Sequence, residues 1–197
     1  MSDPVPLILA SASPRRVELL AQIGVTPDCV LPAHVDEIPL KNELPIDMAR
    51  RLAEAKAREI HKDHPTACVI GADTVVALGR RILGKAEDEA HARRYLSMLS
   101  GRGHRVIGGV AVIAPGGRTA VRAVTTKVDF KRLEDAEIDA YIQSGEWRDK
   151  AGAYAIQGRA GAFVRRINGS YSNVVGLALF DVANMVKGLG VRPPGLI

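Results

Sequence analysis

The sequence predicts a mixed α/β fold (α/β or α+β) in which a central sheet of parallel and antiparallel strands is flanked by helices. Two observations carry this. Apolar runs of strand length alternate with segments of helical period along the whole chain, the pattern of layered α/β domains. Two pairs of strand-like runs are joined by short turn signals, Gly79-Arg80-Arg81 and Pro115-Gly116-Gly117, and hairpins exclude an all-parallel sheet. The 197 residues suit one domain over 1–197, with room for two lobes around a central cleft, and can bury a substantial core.

Taken in order, residues 5–10 read as a buried strand and 14–23 as the first helix, with Val17, Leu20 and Ile23 on one face and Gly24 as its stop. Residues 29–31 suit a second strand, and 34–40 form a Pro-flanked loop that holds the acidic pair Asp36-Glu37. The second helix begins near Pro45 and runs to about His61, its stripe being Met48, Leu52, Ala55 and Ile60. A compact strand over 67–70 ends in Gly71-Ala72-Asp73-Thr74, and a second piece, 75–78, turns back through 82–85. Residues 88–100 make the third helix, 105–114 and 119–130 two long strands, and 133–143 the fourth helix. Short strands are expected around 154–156 and 162–167, followed by an Asn168-Gly169 turn and a last helix over 177–187.

Composition narrows the function classes. The 47% hydrophobic and 25% charged fractions are those of an ordinary soluble globular protein. A net charge of +5 is mild, no Lys/Arg run resembles a nucleic-acid tail, and eight aromatic residues offer little to stack bases on. No stretch approaches the roughly 20 apolar residues of a membrane span. Cys29 and Cys68 lie in apolar runs, make no metal-binding spacing and are expected to be buried thiols. The N-terminus has no secretory pattern, so a reduced, cytoplasmic setting is expected.

The residues that suggest chemistry begin with Ser11-Ala12-Ser13-Pro14-Arg15-Arg16, at the first strand-to-helix junction. Ser13 suits an N-cap and Pro14 the first helical position. Helix N-termini bind anions, and arginine forks match phosphate oxygens. A capped helix with two solvated arginines is the plain alternative. Asp73, expected just past a buried strand, stands where ligand crevices open in α/β sheets and could bind Mg²⁺ or take a proton from water; otherwise it forms a turn with Thr74. Lys56 shares the apolar face of the second helix, which snorkelling also explains. Lys85 projects near the hairpin. Gly152 and Gly158 bracket a small-residue stretch, and the donor and acceptor of Gln157 suit the edge of a base. No P-loop, dinucleotide fingerprint or serine-nucleophile elbow is present.

Together these stretches resemble the Maf family of nucleoside triphosphate pyrophosphatases. The likeness rests on 9–16 (LASASPRR), 71–76 (GADTVV), 83–85 (LGK), 149–158 (DKAGAYAIQG), and 168–171 with 174–177 (NGSY and VVGL), in family order over nearly the whole chain. Leu177-Ala178-Leu179 departs where relatives commonly have a proline. The resemblance implies an elongated sheet like that of inosine triphosphate pyrophosphatases, a cytoplasmic homodimer, a divalent cation (Mg²⁺ or Mn²⁺), and cleavage of a nucleotide to its monophosphate and pyrophosphate. It makes Asp73 the proton acceptor. Ser13, Arg16, Lys56 and Lys85 become phosphate-handling residues, and Glu37 a cleft acid that would hold metal with Asp73. Arg15, Thr74 and Gln157 follow the pattern of the dTTP/UTP branch. The 7-methyl-GTP branch has Trp, Gln and Glu there, and an indole and a carboxylate suit a cationic purine. A non-catalytic nucleotide-binding regulator of division needs the same phosphate cradle without Asp73 as base, and stands as the alternative from another class.

Overall fold

The computed structural model describes residues 5–193 and 195–196. A seven-stranded mixed sheet runs through it. Its strands are β1 (Leu7–Ala10), β2 (Cys29–Val30), β3 (Cys68–Leu78), β4 (Arg81–Leu83), β5 (Gly103–Ile113), β6 (Thr119–Phe130) and β7 (Val164–Asn168). The spatial order is β2-β1-β3-β5-β6-β7, with β4 also on β3. β1 pairs in parallel with β2 and β3, whereas the β3–β4, β3–β5, β5–β6 and β6–β7 pairs are antiparallel. The helices are α1 (Pro14–Gln22), α2 (Pro45–Asp63), α3 (Glu89–Leu99), α4 (Asp135–Ser144), α5 (Tyr171–Val175) and α6 (Leu179–Gly188). No helix among the described residues is long and apolar enough to cross a membrane.

One detail of the sheet creates the site. β5 covers one edge of β3 from Val69 to Ala77. The other edge is shared: β1 covers Cys68 to Gly71, β4 covers Val76 to Leu78, and residues 72–75 between them have no strand neighbour. Asp73 therefore lies inside a continuous strand, not past its end as expected. The strand that ends at this point is β1, whose Ala10 stands opposite Gly71, so the crevice opens at the carboxyl end of β1.

Both faces of the sheet are covered. Along β3, alternate residues Cys68, Ile70 and Ala72 join a core built with Leu9, Leu20, Val182 and Met185, on the face of α1 and α6. Val69, Val75 and Ala77 join cores built with Ala53, Ala57, Met48 and Leu52, on the face of α2. A further cluster, with Leu96, Phe130, Tyr141, Trp147 and Phe163, packs α3 and α4 on the far part of the sheet. The buried face of α2 is Met48, Ala49, Leu52, Ala53, Lys56 and Ala57. Its alanines have a purpose: a Cβ at Gly109 or Gly71 would collide with the carbonyl oxygens of Ala49 and Ala53, so helix and sheet meet backbone to backbone.

Three expectations need correction. Residues 154–156 are not a strand: Asp149, Gly152 and Ala153 have φ of 57°, 69° and 59°, and left-handed residues turn the chain repeatedly. The 162–167 strand divides into a 3₁₀ turn, Arg159–Phe163, and β7. The last helix, expected over 177–187, is α6, and the short α5 before it is separated from it at Gly176, whose φ of 144° no helix accommodates. Ser170 caps α5 by accepting a hydrogen bond from the Asn173 N–H at 3.2 Å. Cys68 is buried as expected, but Cys29 is exposed, because β2 is a two-residue edge strand.

Candidate active site

Period-two alternation makes neighbours on β3 serve opposite faces, and Asp73 and Thr74 illustrate it. Asp73 stands beside Gly109, the residue on which α2 rests, and so meets Lys56. The Lys56 ammonium donates to Asp73 Oδ1 at 2.7 Å and lies 2.5 Å from Glu37 Oε1. Lys56 is only 8% exposed, so it does not snorkel; its charge is held between two carboxylates. Burial works against the Glu37 carboxylate, yet the Lys56 hydrogen bond and charge, with Lys85 and Arg16 behind them, bring its pKa below the ordinary value.

Thr74 stands beside Gly108, on the face of α1 and α5, and there it meets Arg16. The Arg16 guanidinium is buried and held by three segments. Nε donates to the Gly176 carbonyl at 2.9 Å, Nη1 to Ser11 Oγ at 2.9 Å and Nη2 to Thr74 Oγ1 at 3.3 Å. Burial lowers the Arg16 pKa and the Asp73 charge opposes that shift. A guanidinium has five N–H donors, so two remain for an incoming anion. Ser13 occupies the N-cap position of α1, but its hydroxyl caps nothing; its own N–H donates to Ser11 Oγ at 3.1 Å. The Ser13 hydroxyl is therefore available at a helix N-terminus.

The nine residues to which the resemblance gives site roles line one cleft of about 930 Å³: Ser13, Arg15, Arg16, Glu37, Lys56, Asp73, Thr74, Lys85 and Gln157. Lys85 lies beyond β4, bridged to Ala151, and this bridge ties the hairpin to the segment that carries Gln157. Gly152 N–H reinforces it, with the Leu83 and Gly84 carbonyls each 3.0 Å away. The turns of that segment keep Gln157 exposed at the rim. Arg15 is half-buried on the same side; burial lowers its pKa, while Glu18 and Asp149 oppose the change.

Some site features were missed in the sequence. The Gly176 carbonyl is visible only once the fold brings a turn 160 residues away onto Arg16. Lys150 and Asp149 also line the cleft, and their place in the 149–158 stretch was the available signal. No group of three or more His, Cys, Asp or Glu side chains stands together among the described residues.

A mixed sheet with a cationic cleft at the end of a parallel strand, a helix N-terminus at one side and a carboxylate beside a lysine at the other defines a class: an α/β protein built to hold a polyanion next to an acid. Sequence comparison makes this specific. Residues 6–189 match the family described as Maf-like protein, and the chain belongs to that family. It is 63% identical over 187 residues to the dTTP/UTP pyrophosphatase of Paramagnetospirillum magneticum, covering 95% of this chain and 98% of that one. It is 58% identical to the dTTP/UTP pyrophosphatase of Caulobacter vibrioides, covering 95% and 97%. Among solved structures it overlaps the Staphylococcus aureus Ham1 protein at a TM-score of 0.44, with 17% identity over 80% of this chain and 90% of that one.

Proposed function

We propose that the protein is a nucleoside triphosphate pyrophosphatase that hydrolyses dTTP and UTP to the monophosphate and pyrophosphate, removing nucleotides from the pool. One observation carries the reading: Asp73 and Lys56 meet at the open edge of β3, in the cleft that also receives Arg16 and the α1 N-terminus. Full-length identity to proteins named dTTP/UTP pyrophosphatase supports the substrate class.

The triphosphate would lie along the α1 N-terminus, against Ser13, the two remaining donors of Arg16, Lys56 and Lys85. Asp73 would take a proton from water as the water oxygen attacks the α phosphorus in line. The bond from that phosphorus to the α–β bridging oxygen breaks, and pyrophosphate leaves with its charge compensated by the cradle. Arg15, Thr74 and Gln157 are carried over from the family pattern as residues of base choice, with the Gln157 amide suited to a uracil or thymine edge.

Glu37 and Asp73 fit a divalent cation, because together they already hold one positive charge between them. Mg²⁺ at phosphate sites takes one or two carboxylates, and phosphate oxygens and water complete its shell. Once bound, Mg²⁺ or Mn²⁺ would neutralise charge on the triphosphate. We also read the chain as one domain with a lobe on either side of the cleft, a reading supported by the single sheet that spans β2 to β7. The family implies a cytoplasmic homodimer; exposed Phe180 and Tyr171 offer apolar surface for association.

The test is pyrophosphate release from dTTP, UTP, 7-methyl-GTP and the purine triphosphates. Release from dTTP and UTP above the others is expected; none from any nucleotide would leave a binding regulator, and preference for 7-methyl-GTP would overturn the branch. In the same assay, Asp73→Asn should lower turnover by about 10²-fold or more while nucleotide affinity, measured by calorimetry, persists.

A further inference from the structure

Thr74 has a partner that its family role does not account for. Its hydroxyl is one of three acceptors that hold the Arg16 guanidinium, and they come from three separate segments: Ser11 after β1, Thr74 in β3, and Gly176 after α5. A planar fork offers two directed hydrogen bonds to a phosphate only when its plane is fixed. The three acceptors fix that plane. Thr74 is well suited to hold one corner of it. A β-branched residue in a strand has few χ1 choices, and pairing with Gly108 in β5 sets its height in the sheet. Alternation along β3 sends its side chain to the Arg16 face, whereas Gln157 stands exposed at the rim with no hydrogen bond to it among the described residues.

We infer that Thr74 is a positioning residue for Arg16 and through it acts on triphosphate handling for every nucleotide. The inference rests on Arg16 being a phosphate ligand, as proposed above, and it adds a second role to the base choice that the family pattern suggests for Thr74.

Inorganic tripolyphosphate tests it, because this probe has no base. Its affinity is measured by calorimetry without added metal, for the wild type, Thr74→Val, Thr74→Ser and Ser11→Ala. Valine keeps the shape and strand preference of threonine but cannot accept a hydrogen bond. Thr74→Val should weaken tripolyphosphate binding by about tenfold, the loss of one hydrogen bond to a charged group. Thr74→Ser should restore affinity to within about threefold, and Ser11→Ala should copy the valine loss at the second acceptor. In turnover, Thr74→Val should lower kcat/KM for dTTP and UTP alike.

Unchanged tripolyphosphate affinity in Thr74→Val would overturn the inference. So would a wild type that does not bind tripolyphosphate. A wild type that binds it and loses affinity on Thr74→Val, yet releases no pyrophosphate from any nucleotide, would sink the enzymatic reading and leave this one intact.

Discussion

His104 shows how burial dominates a titration. It is 2% exposed, between the ring edges of Phe130 and Tyr154 at centroid distances of 5.0 and 5.4 Å, with Nε2 2.8 Å from the Tyr154 hydroxyl. Burial lowers its pKa to about 4, against a smaller opposing effect of Asp129. An unfolded histidine titrates near 6.5, so between there and pH 4 the unfolded chain binds more protons, and stability falls as the pH falls. The loss over that window is on the order of 3 kcal/mol. Denaturant unfolding at pH 7.5, 6, 5 and 4.5 checks this: His104→Phe should be less stable than wild type at pH 7.5 but should lack this part of the acid slope. At the same scale, the two adjacent arginines separate. Arg16→Ala should depress turnover of every nucleotide, and Arg15→Ala should mainly change which is preferred; equal losses across a nucleotide panel would contradict that division.

At the scale of the element, α2 is the part that most depends on small residues elsewhere. It carries Lys56, and it reaches the sheet only because β3 and β5 present Gly71 and Gly109 beneath it. Gly109→Ala inserts one methyl against the Ala49 carbonyl. This should cost about 1–3 kcal/mol, seen as a lower denaturant midpoint, and should also reduce turnover as Lys56 is lifted from Asp73. This scale also shows what the sequence makes legible. Helices with a clear period and a proline in the first turn emerge within a few residues, as α1 and α2 do. Gly71-Ala72-Asp73-Thr74 reads as a break because small and polar residues disfavour strands locally. Pairing with β5 and the need for a thin sheet under α2 override that preference. The 149–158 segment misleads in the opposite sense, since left-handed Asp149 and Ala153 carry no glycine to announce them. Candidate site residues were legible because their types suggested phosphate chemistry and a family order connected them. Their partners, such as Gly176 for Arg16, depend on contacts across 160 residues that no local pattern encodes.

Over the whole molecule, the cleft lies at a seam between cores. β3, β5 and β6 are 11, 11 and 12 residues long, and they pass from the cluster around Leu9 and Met185 to the cluster around Phe130 and Trp147. The cleft walls come from both ends: α1 and its preceding loop on one side, the β4 hairpin and the 149–158 turns on the other. A ligand held across it therefore ties the two ends together. A slowly hydrolysed dTTP analogue at 100 times its Kd should stabilise the fold by about 2.7 kcal/mol. At roughly 2–4 °C per kcal/mol for a chain of this size, Tm should rise by about 5–10 °C. A calorimetric scan that shows no shift at that saturation would mean the ligand does not bridge the native cleft.

The bare edge of β3 has a consequence for hydrogen exchange. The Cys68 N–H donates to the Pro6 carbonyl, so the even-numbered amides of β3 point away from β5; the pairing of Gly71 with Ala10 engages the Ala72 amide and β4 covers that of Val76, which leaves Thr74 without a ladder bond on that edge. Its amide should exchange early in the free protein, while its neighbours facing β5 exchange only with the global core. Bound triphosphate would cover it. One amide signal beside the candidate general base thus becomes a reporter of occupancy that needs no turnover.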